Sequence, residues 1–242
     1  MKSYAEMNDL VLSRYYKGRR TLELGFFSGN HTLSFAKFAG ELESIDISKA
    51  SYDLAMKNLA GKMPKNLTLS VMDAAKMTFA DASFDVVVAT SFHEMGDAQE
   101  KILAECDRVL GRDGHAKTII FSEPDVQSIT NELFKVFDSN ENHAARIALT
   151  KERIKKFAHA FGYSISELEP SISREKFESE DGLLTEMLAW WCDIKVPSTD
   201  AEAAEMKNAI KNILVRDTPE DFKNLEVNEV SWNWILEKGN GR

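Results

Sequence analysis

The feature that most constrains this chain is an alternation, over its first 170 residues, of short apolar runs with longer stretches of helical periodicity. Thr21–Gly25 (TLELG) is a short apolar run ending at glycine, and Asn30–Phe38 follows at helical spacing. Leu42–Ile47 is a second run, followed by helical spacing over Ala50–Ala60. Leu67–Met72 alternates as a strand does, and Phe84–Thr90 (FDVVVAT) is continuous and β-branched. A continuous run of that kind suits a strand buried on both faces. Gln99–Leu110 is amphipathic and stops at Gly111, Lys117–Phe121 is another buried run, and Thr150–Ala160 reads as a helix ending before Gly162. Strands separated by helices of this length form βαβ units, which demand a parallel sheet. The expected fold is therefore a doubly wound, Rossmann-like α/β sheet.

The remainder differs. Residues 163–242 carry 9 Lys and Arg against 17 Asp and Glu, which is most of the net charge of −9. The segment 171–226 reads as acidic and without strand runs, with helices expected over Glu180–Trp191 and Thr199–Val215. Trp190 and Trp191 are adjacent, so they point about 100° apart on a helix. They suit core packing, a cap over a cleft or a dimer surface. Val230–Leu236 (VSWNWIL) alternates as a strand with one exposed face. The expected organisation is a core over 1–170, a helical insertion over 171–226, and a last strand within 227–242 that returns to the core.

Composition excludes several classes. With 43% hydrophobic residues in 242, the chain has material for a real core, unlike a disordered segment or a disulfide scaffold. No apolar run reaches the length of a membrane span, and MKSYAEMNDL lacks a signal-peptide core. Cys106 and Cys192 offer no metal spacing and read as reduced thiols, so a cytoplasmic setting without a metal is expected. Neither part of the chain is basic, which disfavours nucleic acid. The basic stretches Arg14–Arg20 and Lys151–Lys156 read as solvated faces.

The chemistry collects at strand ends. Leu22-Glu-Leu-Gly-Phe-Phe-Ser-Gly-Asn-His-Thr32 is a strand, a tight turn bounded by Gly25 and Gly29, and the start of a helix. Small residues there let a ligand approach the backbone. Ordinary strand–helix connections also carry two glycines. Asp46 ends the second strand, where an acid can accept hydrogen bonds from both ribose hydroxyls. Asp73 follows the third strand, and Thr90-Ser-Phe-His-Glu94 follows the fourth. In a doubly wound sheet all of these lie along the carboxyl edge, where ligands bind.

On these residues the chain resembles the class I S-adenosylmethionine-dependent methyltransferases, in particular the UbiE/type-11 group, over about residues 10–170 and again at the last strand. LELGFFSGNHT is similar to the family's glycine-rich first motif, and ESIDIS to its second-strand motif. VMDAAKMTFADASFDVVVAT is the closest match, and AECDRVLGRDGHAKTII resembles the helix and turn before the fifth strand. The resemblance implies a seven-stranded sheet with an antiparallel last strand and S-adenosyl-L-methionine as cofactor. It would place Gly25 and Gly29 around the methionine part, Glu23 near its amino group and Asp46 on the ribose with Ile47 beside it. Asp73 and Ala74 would line the adenine, and Thr90 would complete the cofactor contacts. Asp85 would begin the fourth strand structurally. The chain departs from the family at Phe27, which stands where a third glycine is usual.

The expected activity is methyl transfer to a small intracellular molecule. Such in-line transfer needs positioning above all, and a base only if the acceptor must lose a proton. His93 and Glu94 are the best-placed candidates, followed by Glu123 at the end of the fifth strand. His31 reads as a packing or cofactor-proximal residue. Tyr15 and Tyr16 either close over the cofactor or dock an N-terminal helix. The asparagine-proline-aromatic signature of amino-directed nucleic-acid methyltransferases is absent, the chain reading TSFHEM there. A protein or RNA methyltransferase, and a non-catalytic cofactor-binding protein with Phe27 as its mark, remain the alternatives. A homodimer is compatible with the sequence.

Overall fold

The computed structural model describes residues 11–29, 31–124, 143–176 and 226–239, together with 199–202, 204, 205, 208, 209 and 212. Seven strands form one sheet in the order β3-β2-β1-β4-β5-β7-β6. They are β1 (Arg20–Leu24), β2 (Glu41–Asp46), β3 (Leu67–Val71), β4 (Val86–Thr90), β5 (Lys117–Pro124), β6 (Ser164–Lys176) and β7 (Glu226–Lys238). The first five run parallel, and β7 inserts antiparallel between β5 and β6. The main helices are α1 (Thr32–Phe38), α2 (Lys49–Asn58), α3 (Gln99–Val109) and α4 (His143–Phe161). The doubly wound sheet with an antiparallel last strand is thus observed.

β4 is central, and its burial follows from its sequence. Val87 and Ala89 pack with Ile102, Leu103, Ile119 and Phe121 on one face, while Val86 and Val88 pack with Phe35, Ile120 and Ile235 on the other. A strand filled on both faces has no use for polar alternation. Asp85, just before β4, accepts from the Arg20 main-chain N–H at 2.9 Å and so ties β4 to β1, the structural role expected for it. Tyr16 is buried and stacks on Phe35 of α1 at 5.6 Å, so this pair docks the N-terminal turn. Cys106 is buried in the core.

One sequence expectation is corrected. β6 continues to Lys176, six residues into the segment read as strandless. β6 is an edge strand, so it has no requirement for apolar residues on both faces. Pro170 sits within the register shift between Leu168 and Ser171, the kind of position a strand proline tolerates. β7 also starts earlier than expected, at Glu226. The described residues between 200 and 212 are helical, and Glu202 N–H donates to Thr199 Oγ1 at 3.1 Å. The expected helix 180–191, with Trp190, Trp191 and Cys192, lies outside the described residues. No helix among the described residues is long and apolar enough to cross a membrane.

Candidate active site at the carboxyl edge of the sheet

Register places the sequence candidates side by side. Leu24 pairs with Ile45, Asp46 with Val71, and Thr90 with Ser122, so the residues that follow emerge along one edge. β1 and β4 are neighbours whose chain connections diverge, which opens a crevice at their carboxyl ends.

The turn after β1 is built around Asp46. Gly25 N–H donates to Ile45 O at 2.8 Å, and Gly29 N–H closes the turn on Phe26 O at 2.7 Å. A side chain at Gly29 would meet Leu59 Cδ1 at 3.1 Å, and its φ of +80° also favours glycine. Asp46 Oδ2 accepts from Phe27 N–H at 3.0 Å, and Oδ1 from Ser48 N–H at 2.8 Å. A carboxylate offers about four lone-pair positions, so two remain for a vicinal diol. Ile47, next to it, is 71% exposed and offers an apolar face at the same edge. Asp73 is exposed, with Oδ1 accepting from Ala75 N–H at 2.8 Å, and Ala74 and Thr90 are half-buried. Met95 overhangs the turn, its Cε 3.4 Å from where a Gly25 side chain would begin. His31 is exposed just before α1. These positions fit an extended ligand with a diol and a flat apolar group.

Phe27 adopts a φ of +44°, a left-handed conformation that costs a non-glycine residue about 1–2 kcal/mol. That twist aims its N–H at Asp46. Phe27→Gly is therefore expected to keep the fold, to hold or raise stability by about 1 kcal/mol, and to alter cofactor affinity. Thermal unfolding and calorimetry check this. A clear loss of stability would mean that the side chain packs more favourably than its backbone is strained.

Glu23, for which the family resemblance implies an amino-group contact, lies within β1 at the base of the turn. It is 1% exposed, and Ser44 Oγ donates to it at 2.6 Å across the β1–β2 pair. Burial pushes its carboxyl up to about 7, against the pull of Ser44 and Thr32. The folded state then holds a proton that the unfolded chain releases near pH 4.5. This contribution to stability is complete below that value and is lost as pH rises toward 7, by at most about 1.4 kcal/mol per pH unit. Denaturant unfolding at pH 5 and pH 7 should show the fall, with a smaller fall in Glu23→Gln. An equal fall in both would assign the proton elsewhere.

Beyond β4 the chain turns through Ser91, at φ +55°, into a 3-10 segment over Phe92–Ala98. Glu123, fully buried at the end of β5, holds this segment. Its Oε1 accepts from Phe92 N–H, and its Oε2 accepts from His93 N–H at 3.1 Å and lies 2.6 Å from His93 Nδ1. His93 thus lies beyond β4, as expected, but its ring turns inward to Glu123 and is 1% exposed rather than open to a cleft. Glu94 is exposed, with a carboxyl oxygen 3.9 Å from His93 Nε2, beyond hydrogen-bond range. Burial pushes Glu123 up to about 8 and His93 down to about 4, Glu94 and Arg146 pulling His93 in opposite directions. Both shifts favour the uncharged form of the couple. Loss of one proton leaves Glu123 as a carboxylate accepting Nδ1–H, with Nε2 as the basic nitrogen. The sequence placed both residues at strand ends, but their pairing depends on the parallel register of β4 and β5. Trp232 on β7 pairs with Glu123 and was missed as a neighbour of the site.

Residues 21–114 match the family model described as a methyltransferase domain. No relative is found among curated proteins. A proposed methyltransferase from an antibiotic biosynthesis pathway of Anabaena variabilis is similar in structure, with a TM-score of 0.67 and 13% identity over 98% of this chain and 97% of that one. YcgJ from Bacillus subtilis is similar at a TM-score of 0.63 and 14% identity, covering 98% and 100%. The [4+2]-cyclase SpnF is similar at 0.58 and 18%, covering 98% and 81%. At these identities the likeness is one of fold, and a fold hosts more than one chemistry. The chain thus carries a methyltransferase-domain match over residues 21–114, set in the fold that these solved structures share.

Proposed function

We propose that the chain transfers the methyl group of S-adenosylmethionine to a small intracellular molecule whose acceptor atom loses a proton. The observation that carries the cofactor half is the Asp46 carboxylate, held by Phe27 and Ser48 N–H groups beside the Gly25–Gly29 turn. Asp46 would take the ribose diol, with Ile47, Asp73 and Ala74 on the adenine. Gly25 and Gly29 would admit the methionine part, with Thr90 at the crevice floor. Glu23, which accepts from Ser44 Oγ, would lie near the methionine amino group. When bound, the cofactor supplies an electrophilic methyl group on a sulfonium.

His93 and Glu123 support the second half. Their 2.6 Å contact fixes the ring, and the couple yields a base on losing its proton. Its burial removes competing water. Glu94 would lie at the solvent end of the couple. Turnover should rise with pH as the couple loses its proton, with an apparent midpoint that burial of Glu123 raises above the ordinary carboxyl range and that belongs to the pair rather than to either residue. The test is methyl transfer from labelled S-adenosylmethionine to a panel of small phenols, amines and carboxylic acids, with protein and RNA acceptors beside them. Transfer to small acceptors supports the reading, and transfer only to a macromolecule replaces it. Phe27 in the glycine turn favours a second reading, a protein that binds the cofactor without methyl transfer. Saturable binding with no transfer to any acceptor would select it.

A further inference from the structure

The segment that carries His93 is held from a second side. Gln99, at the start of α3, is 1% exposed. Its Nε2 donates to Phe92 O at 2.9 Å and to Thr150 Oγ1 at 2.7 Å. Its Oε1 accepts from Arg153 Nη1 at 3.0 Å. The amide orientation is determined, because Arg153 only donates and the Phe92 carbonyl only accepts. Thr150 passes its own proton to Arg146 O at 2.9 Å, one turn back along α4. Arg153 reaches further, donating to Gly96 O at 2.7 Å and pairing with Asp97 at 2.9 Å. The segment therefore has two anchors, Glu123 on the sheet and the Gln99–Thr150–Arg153 group on α4. The anchors hold a backbone with left-handed turns at Ser91 and Gly96, which local preference alone would not maintain.

We propose that Gln99, fixed between Thr150 and Arg153, is a positioning residue that sets the place of His93 through the Phe92 carbonyl, so that helix α4 controls the geometry of the acid–base couple. This rests on the proposed role of His93, but its test reads ring position and is independent of catalysis. The Gln99 amide gains nothing in core packing that a leucine would not supply, and what it adds is three directed bonds. Among the described residues, the charged and titratable groups acting on the ring include Glu123, Glu94 and Arg146, with Lys151 acting on Glu123.

The experiment follows the His93 ring by nitrogen–proton correlation in Gln99→Leu, Thr150→Val and Thr150→Ser, with the signal assigned by its loss in His93→Gln. Gln99→Leu and Thr150→Val should move the His93 ring signals and raise its titration midpoint by about 1–2 pH units toward the ordinary value. Thr150→Ser, which keeps the hydroxyl, should retain the wild-type signal. The other histidines should not move, and the cofactor dissociation constant should change less than about threefold, within the scatter of a distant substitution. Unchanged His93 signals in folded Thr150→Val and Gln99→Leu would overturn the proposal, as would a uniform shift of all histidines. If Gln99→Leu fails to fold, the Thr150 pair decides. If these ring results hold but His93→Ala turns over normally, only the base assignment falls.

Discussion

His93→Ala is expected to lower turnover about 10²–10⁴-fold while leaving S-adenosylmethionine affinity nearly unchanged. The ring lies beyond β4, away from the Asp46 side of the crevice, so its removal should not touch the cofactor contacts. It does leave the buried Glu123 without its ring partner, which should destabilise the fold by about 1–3 kcal/mol. Thermal unfolding therefore accompanies the kinetics, at a temperature where the variant remains folded. Added imidazole should restore part of the rate if the lost function is proton removal. If the loss falls on the Michaelis constant instead, His93 positions the acceptor rather than deprotonating it. Wild-type turnover in the folded variant would remove His93 from the chemistry and leave Glu123 as an anchor of the loop.

Asp46→Ala should weaken cofactor binding about ten- to a hundredfold, the loss of roughly 1.5–3 kcal/mol from hydrogen bonds to a charged acceptor. Two effects add here. The ribose loses its acceptor, and the Phe27 and Ser48 N–H groups lose theirs, so the glycine turn is no longer drawn to β2. Asp46→Asn separates the two, since its amide keeps one acceptor oxygen. An intermediate affinity for Asp46→Asn is expected. Calorimetry reading wild-type affinity in Asp46→Ala would show that the ribose is held elsewhere.

The sheet was legible because its central strands announce themselves. FDVVVAT and KTIIF are buried on both faces, and such runs have few other uses. The strand-end acids were legible for the same reason, since a parallel order puts every strand end on one edge. The edge strand β6 was not legible to its full length. SISELEPSISREK carries a proline and alternating charges that suit solvent on one side, and an irregular register absorbs the proline. Phe27 read from sequence as a defect in the glycine motif, whereas its positive φ is what aims its N–H at Asp46. The inward turn of His93 and its second anchor at Gln99 were also hidden. The first depends on Glu123 of β5 and the second on α4, whose Thr150 and Arg153 side chains reach Gln99 from about 50 positions away.

The central claim is that the carboxyl edge of this sheet binds S-adenosylmethionine. Calorimetric titration of wild-type protein with S-adenosylhomocysteine, the demethylated product, tests it most directly. One saturable site per chain is expected. An absence of saturable heat up to about 1 mM ligand, where binding would be weaker than about 4 kcal/mol, would contradict it.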